Sequence, residues 1–285
     1  MIKQFLKEDR KKLNSLTKYP SILTFHKMVN GNLIDSPYED NIDDFYATEK
    51  IDGTNVRIII DYSGNVVIGS RENLLYLNGE YFYDTSQGIV EYFLKNDEKI
   101  KELVDTSLYL DLLNERNDLV IIYGELYGGK IGKGAKNYGI ENDFRIFDIA
   151  KINDSNSFLE WPIEKISSWR ETETDNGMIY GQNFLSRNEI VQLDFQTIQL
   201  VPLLHEIKFK DVSIKNIFET LSQFKQTQAA IDETSLLQPE GVVIRKDQKR
   251  YKIRFEDYKK YFKQSGNLTI DEIFNKCLPP TLIKH

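Results

Sequence analysis

The sequence predicts an α+β fold in which antiparallel sheets are flanked by helices, and three observations carry that reading. Segments rich in β-branched and aromatic residues recur, and two of them, residues 56–61 and 66–70, are joined by Tyr62-Ser63-Gly64-Asn65, a hairpin turn signal. Apolar residues at helical spacing follow over 86–116, where Ile89, Val90, Phe93, Leu94, Ile100, Leu103, Leu108 and Leu112 line one side. No internal repeat, low-complexity tract or Gly/Ser/Pro-rich linker divides the 285 residues, so a single domain is expected.

The elements follow in order. Residues 1–20 place Ile2, Phe5, Leu6, Leu13 and Leu16 among six lysines and arginines, which predicts a short amphipathic helix ending before Pro20. Residues 45–50 are a strand ahead of the first hairpin. Residues 119–126 form a nearly continuous apolar strand, broken only by Gly124 and Glu125, so a buried strand ends in a carboxylate. Residues 144–149 alternate as a further strand, and 163–170 and 212–224 read as helices. The polar stretch 171–182 reads as a mobile surface loop. Residues 241–245 and 251–255 make a second hairpin, and the chain ends in helix.

Composition excludes several functions. With 37 Lys and Arg against 44 Asp and Glu the net charge is −7, and 40% of residues are hydrophobic, an ordinary globular balance. No apolar run reaches the roughly 18 residues that span a bilayer, and the N-terminus lacks the apolar core of a signal peptide. The single Cys277 and the three histidines His26, His205 and His285 give no zinc-like cluster. A reducing, cytoplasmic setting is expected, with His26 and His205 structural. Charge is unevenly spread: Asp35, Glu39, Asp40, Asp43, Asp44 and Glu49 fall together without a cation, whereas residues 245–263 hold nine lysines and arginines against three acids. A surface for polyanions is expected to include the second stretch.

The segment richest in chemistry is Thr48-Glu49-Lys50-Ile51-Asp52-Gly53-Thr54-Asn55-Val56-Arg57. A lysine at a strand end, followed by a turn at which Gly53 lets the backbone approach a ligand, projects an amine into a site. Such an amine becomes a nucleophile when neighbouring positive charge and desolvation disfavour its ammonium form. Four more segments follow in order: Ser70-Arg71; Tyr123-Gly124-Glu125-Leu126-Tyr127-Gly128; Phe144 to Ile149; and Glu240-Gly241-Val242-Val243-Ile244-Arg245 with Tyr251-Lys252-Ile253-Arg254.

This ordered set, over about residues 45–260, resembles the covalent nucleotidyltransferase superfamily of DNA ligases, RNA ligases and mRNA capping enzymes. Glu49 before the lysine and Asn55 after it are similar to the phage-type RNA-repair ligases. The resemblance implies an adenylation domain of the ATP-grasp-like kind over residues 1–265, with an N-terminal helical extension. It leaves 266–285 as a short helical tail with no room for an oligonucleotide-binding-fold domain. It implies an ATP-dependent RNA ligase that joins 5′-phosphate and 3′-hydroxyl ends through lysyl-AMP and RNA-adenylate, using Mg²⁺ or Mn²⁺. A monomer in the cytoplasm, or in the host's if phage-encoded, with no membrane partner, completes the expectation.

The residue roles follow from the resemblance and their chemistry. Lys50 is the nucleophile. Lys252 and Arg254, on one alternate-residue face, join Arg71 and Arg245 around the α-phosphate. Glu125 and Glu240 suit ribose hydroxyls and, with Asp52, a divalent ion. Phe147, preferred to Phe144 because it precedes Asp148, faces the adenine; Glu49 and Asn55 support the nucleotide. Asp52 stands where the best-known members have His, and Arg245 and Arg254 stand where Lys is usual, which keeps charge but changes geometry. The loop Gly128-Gly129-Lys130-Ile131-Gly132-Lys133-Gly134 lacks the phosphate-loop spacing and reads as a flexible basic loop. The alternatives are a DNA ligase, a capping-type guanylyltransferase and a non-catalytic RNA-end-binding module.

Overall fold

A computed structural model describes residues 1–83, 88–110, 112–132, 134–205, 207–233 and 238–265. Two largely antiparallel sheets organise the chain, each with one parallel edge pairing. The larger, eight-stranded sheet runs Asn183–Phe184, Asn142–Ile152, Leu119–Gly128, Thr54–Asp61, Val66–Ser70, Leu74–Leu77, Glu80–Tyr81, with Gln199–Leu200 also on Asn142–Ile152. The smaller runs Leu23–Thr24, Lys249–Arg254, Gly241–Lys246, Tyr46–Lys50.

The central strand Leu119–Gly128 explains its own apolar run. It pairs with Thr54–Asp61 on one side and Asn142–Ile152 on the other, and both faces are covered. Val120 and Ile122 pack with Ile58, Phe93 and Leu103 of the helical side. Leu119, Ile121 and Tyr123 pack on the opposite face with Ile2, Phe5, Leu13 and Leu16 of the N-terminal helices. Each such fully buried aliphatic side chain contributes about 1.5–3 kcal/mol. The small sheet packs on the helices Ile214–Ser222 and Phe255–Ser265 through Phe25, Phe218, Val242, Ile253 and Tyr258.

Several expectations need correcting. The helix expected over residues 1–20 is two, Ile2–Glu8 and Arg10–Thr17, because Asp9 leaves helical backbone and caps the second, accepting from the Lys11 and Lys12 amides. The helical stretch after residue 86 likewise splits at Asn96 into Ile89–Lys95 and Asp97–Tyr109. The stretch 171–182 is no loop: Glu171–Thr174 and Gly177–Tyr180 form a hairpin whose turn ends at Gly177 with φ 114°. The other expected strands and helices are present within three residues. The expected tail 266–285, with Cys277, lies outside the described residues. No helix among the described residues is long and apolar enough to cross a membrane.

Candidate active site

A cavity of about 850 Å³ opens between the two sheets, and all eleven residues singled out in the sequence line it: Glu49, Lys50, Asp52, Asn55, Arg71, Glu125, Phe147, Glu240, Arg245, Lys252 and Arg254. Strand register brings them together. Tyr46–Lys50 ends with Lys50 opposite Gly241, which sets the Lys50 amine beside Glu240, Nζ to Oε2 2.5 Å. The turn after Lys50 then carries the chain across to the large sheet, where Asn55 stands opposite Glu125. That crossing is tight. A Cβ on Gly53 would lie 2.4 Å from the Leu126 carbonyl oxygen and 2.8 Å from Tyr127 Cβ, so only glycine fits. Below the turn Ile51 packs with Tyr127, Tyr138 and Val201, and the Asp52 amide donates to the Tyr138 hydroxyl at 2.8 Å.

The four cations are not equivalent. Arg245 is 3% exposed, donates to Thr48 Oγ1 and lies 3.5 Å from Asp148, so its charge is already compensated. Arg254 is gripped by Asp257 through two hydrogen bonds of 2.8 and 2.9 Å. Lys252 forms no ion pair among the described residues; burial, then Arg254 and Lys50, push its amine below the ordinary lysine value. Arg71 is largely exposed at the cavity mouth, with Glu72 at 3.8 Å. Lys252 inside and Arg71 at the rim are therefore the charges most available to a bound phosphate.

The carboxylates also separate. Glu49 is 2% exposed and occupied by protein: Oε1 accepts from Thr227 Oγ1 and Oε2 from the Gln228 amide at 2.7 Å. Burial pushes it up to about 6 despite those bonds. Its side chain staples the segment after residue 226 to the small sheet. Glu125 is pushed up to about 8 by burial, which outweighs the lowering by Lys50, while Glu240 and Asp52 add repulsion. Glu125, Glu240 and Asp52 do not converge into a three-ligand metal cluster, and none exists among the described residues. The set fits a hard cation that takes one or two carboxylates and completes its shell with water and phosphate, and a desolvated carboxyl near 8 is one that added positive charge would ionise.

Phe147 is placed by a β-bulge. The ladder between Asn142–Ile152 and Leu119–Gly128 slips between Ile146 and Asp148, turning Phe147 into the cavity while Phe144 stays in the core, its ring 5.0 Å from Phe93. The small residue Gly124 makes room for that Phe144 ring, since a Cβ there would fall 2.3 Å from it. Asn55 Oδ1 is buried without a hydrogen-bond partner, a polar group left over for a ligand.

Sequence reasoning missed Tyr19. It lines the cavity, stacks edge-on against Phe147 with ring centres 4.9 Å apart, and its hydroxyl donates to Asp148 Oδ2 at 2.5 Å. Asp148 in turn holds Arg245 and, at 3.3 Å, Arg250. Burial alone would raise the Asp148 carboxyl; Arg250, Arg245 and Tyr19 outweigh it and hold it below the ordinary range. Nothing in the local pattern around Tyr19 signals this, because its partners lie more than a hundred residues away. His26 meets its expectation: it is buried, bridging the Tyr258 hydroxyl at 2.6 Å and the Val212 carbonyl at 2.8 Å.

Fold and cavity together define a protein with a strand-end lysine in a cleft lined by both cations and carboxylates. A family model described as RNA ligase matches residues 43–264, and the chain belongs to that family. No curated protein matches the sequence. Among solved structures, a glutamate-to-alanine variant of a Naegleria gruberi RNA ligase with ATP and Mn is similar at 16% identity and TM-score 0.46, covering 86% of this chain and 62% of that one. An apo lysine-to-alanine variant gives 16% identity and TM-score 0.47, covering 84% and 62%, and a Naegleria gruberi RNA ligase with PPi gives 15% and 0.46, covering 88% and 64%. The chain thus spans less than two thirds of the length of these ligases.

Proposed function

We propose that the protein is an ATP-dependent RNA ligase that joins a 5′-phosphate to a 3′-hydroxyl by way of lysyl-AMP and RNA-adenylate. The observation that carries this reading is the placement of Lys50, in a chain of the RNA ligase family, at the floor of a cavity holding Lys252 and Arg71. The Lys50 amine attacks the α-phosphate of ATP: a phosphorus–nitrogen bond forms, the bond to the pyrophosphate oxygen breaks, and the amine gives up a proton. Lys252 and Arg71 offset the charge that develops on the phosphate, with Arg245 and Arg254 contributing from their anchored positions. Phe147, backed by Tyr19, presents a ring to the adenine, and Asn55 offers its amide to the nucleotide. Glu240 orients the amine, and Glu125 takes a ribose hydroxyl.

One or two of Glu125, Glu240 and Asp52, directly or through water, would hold Mg²⁺ or Mn²⁺, which would supply charge neutralisation at the phosphates. The adenylate then passes to an RNA 5′-phosphate and is displaced by the 3′-hydroxyl. The test is incubation with [α-³²P]ATP and Mg²⁺ followed by a chase with 5′-phosphorylated RNA. The protein is expected to take up label and pass it to the RNA end. Absence of label, or label that RNA cannot remove, overturns the reading.

A further inference from the structure

The basic run over residues 245–263 looks like a polyanion surface in the sequence, and five of its nine cations are in ion pairs, Arg245 and Arg250 of them buried. Arg245 and Arg250 meet Asp148, Lys246 meets Asp44, Lys249 meets Glu39 and Arg254 meets Asp257. Asp44 and Glu39 of the acidic run answer two of these lysines. A second group of cations sits in the N-terminal helices. Residues 1–18 hold six lysines and arginines against two acids, in a chain of net charge −7. Of these Lys3, Lys7, Arg10 and Lys11 are exposed, and none of the four is in an ion pair among the described residues.

This helix pair borders the cavity. One face of the second helix carries Arg10, Asn14 and, at its end, Lys18. Asn14 Nδ2 donates to the Glu72 carbonyl at 2.9 Å and Lys18 pairs with the Glu72 carboxylate at 2.7 Å. The Arg10 guanidinium lies 5.1 Å from the centre of the Phe82 ring and 5.7 Å from that of Tyr83. Tyr83 lines the cavity beside Arg71 and Glu72 and is 48% exposed. A half-open ring under a guanidinium is the pairing by which proteins hold single-stranded nucleic acid: a base stacks on the ring and a phosphate meets the cation. The helix pair precedes the matched span 43–264, so this feature adds to the motif set rather than restating it.

We propose that Arg10 and Tyr83, with exposed Lys3, Lys7 and Lys11 beyond them, form a tract for single-stranded polynucleotide that leads an RNA end to the Lys50 cavity. The choice of RNA rests on the ligase reading; the binding of a single-stranded polyanion rests on the tract itself.

The experiment is fluorescence anisotropy of the full chain with a short single-stranded 5′-phosphorylated RNA, titrated over a range of salt. Arg10→Gln and Tyr83→Ala are each expected to weaken binding about ten-fold, and Tyr83→Phe to keep it, because stacking survives loss of the hydroxyl. The triple variant Lys3→Gln, Lys7→Gln, Lys11→Gln is expected to flatten the slope of log affinity against log salt by about two, as three phosphate contacts on a single strand would. Labelling of Arg10→Gln by [α-³²P]ATP stays at the wild-type level. Affinity and salt slope unchanged in all of these variants overturn the tract, as does a Tyr83→Phe variant that loses affinity as Tyr83→Ala does. A wild-type protein that binds RNA through these residues but takes no label from ATP supports the tract and overturns the ligase reading instead.

Discussion

The Lys50 amine and the Glu240 carboxylate meet at 2.5 Å because their strands pair with Lys50 opposite Gly241. On its other side the same glycine pairs with Arg254 at close approach: a Cβ on Gly241 would fall 2.1 Å from the Ile253 carbonyl oxygen. Both side chains are about a quarter exposed, so the pair contributes only about 0–1 kcal/mol to stability. Its importance is to the amine. Glu240→Gln is expected to slow labelling by [α-³²P]ATP at least about ten-fold while leaving the urea midpoint nearly unchanged. Equal labelling rates for variant and wild type would remove Glu240 from the account.

Asp148 gives the opposite balance. It is 2% exposed and answers two buried guanidiniums, Arg245 and Arg250, the latter lying 3.7 Å from the centre of the Phe184 ring. Asp148→Ala leaves both charges uncompensated and is expected to cost about 3–5 kcal/mol, measured by equilibrium urea unfolding. A loss below about 1 kcal/mol would mean that the cluster does not hold the sheets together.

Much of this was legible in the sequence, and the failures have physical causes. All eleven site residues line one cavity, most of them at or near strand ends or turns that the local pattern defines, whereas Lys252 lies within its strand and Phe147 is turned in by a bulge. Strand order was not legible, since nothing local says that residues 46–50 pair with 241–245. Three Asn-Gly pairs, Asn30-Gly31, Asn78-Gly79 and Asn176-Gly177, each turn a hairpin, and this signal could have found the strands His26–Val29, Asn32–Pro37, Leu74–Leu77, Glu80–Tyr81 and the Glu171 hairpin. The partners of the basic run were not legible, because charge in sequence carries no partner: Asp44 and Glu39 lie some two hundred residues from Lys246 and Lys249. The hydrogen bonds that Thr227 and Gln228 give to the Glu49 carboxylate were hidden for the same reason.

His26 predicts an acid-sensitive fold. Burial pushes its pKa down from 6.5 to about 4, so the imidazole stays neutral between Tyr258 and Val212 while the unfolded chain takes up a proton. Its contribution is whole above pH 6.5 and is lost as pH falls toward 4, by about 3 kcal/mol in all. Urea unfolding on either side of that window is expected to show the loss in the wild type and a smaller one in His26→Gln. Parallel slopes for the two proteins would contradict it.

The central claim is that Lys50, and no other amine in the cavity, carries the nucleotide. Mass spectrometry of peptides from protein incubated with ATP and Mg²⁺, quenched before RNA is added, locates the bond directly. The account predicts AMP on the peptide bearing Lys50, with Lys252 unmodified and Lys50→Ala free of adduct. AMP on Lys252, or an adduct that persists in Lys50→Ala, would contradict it.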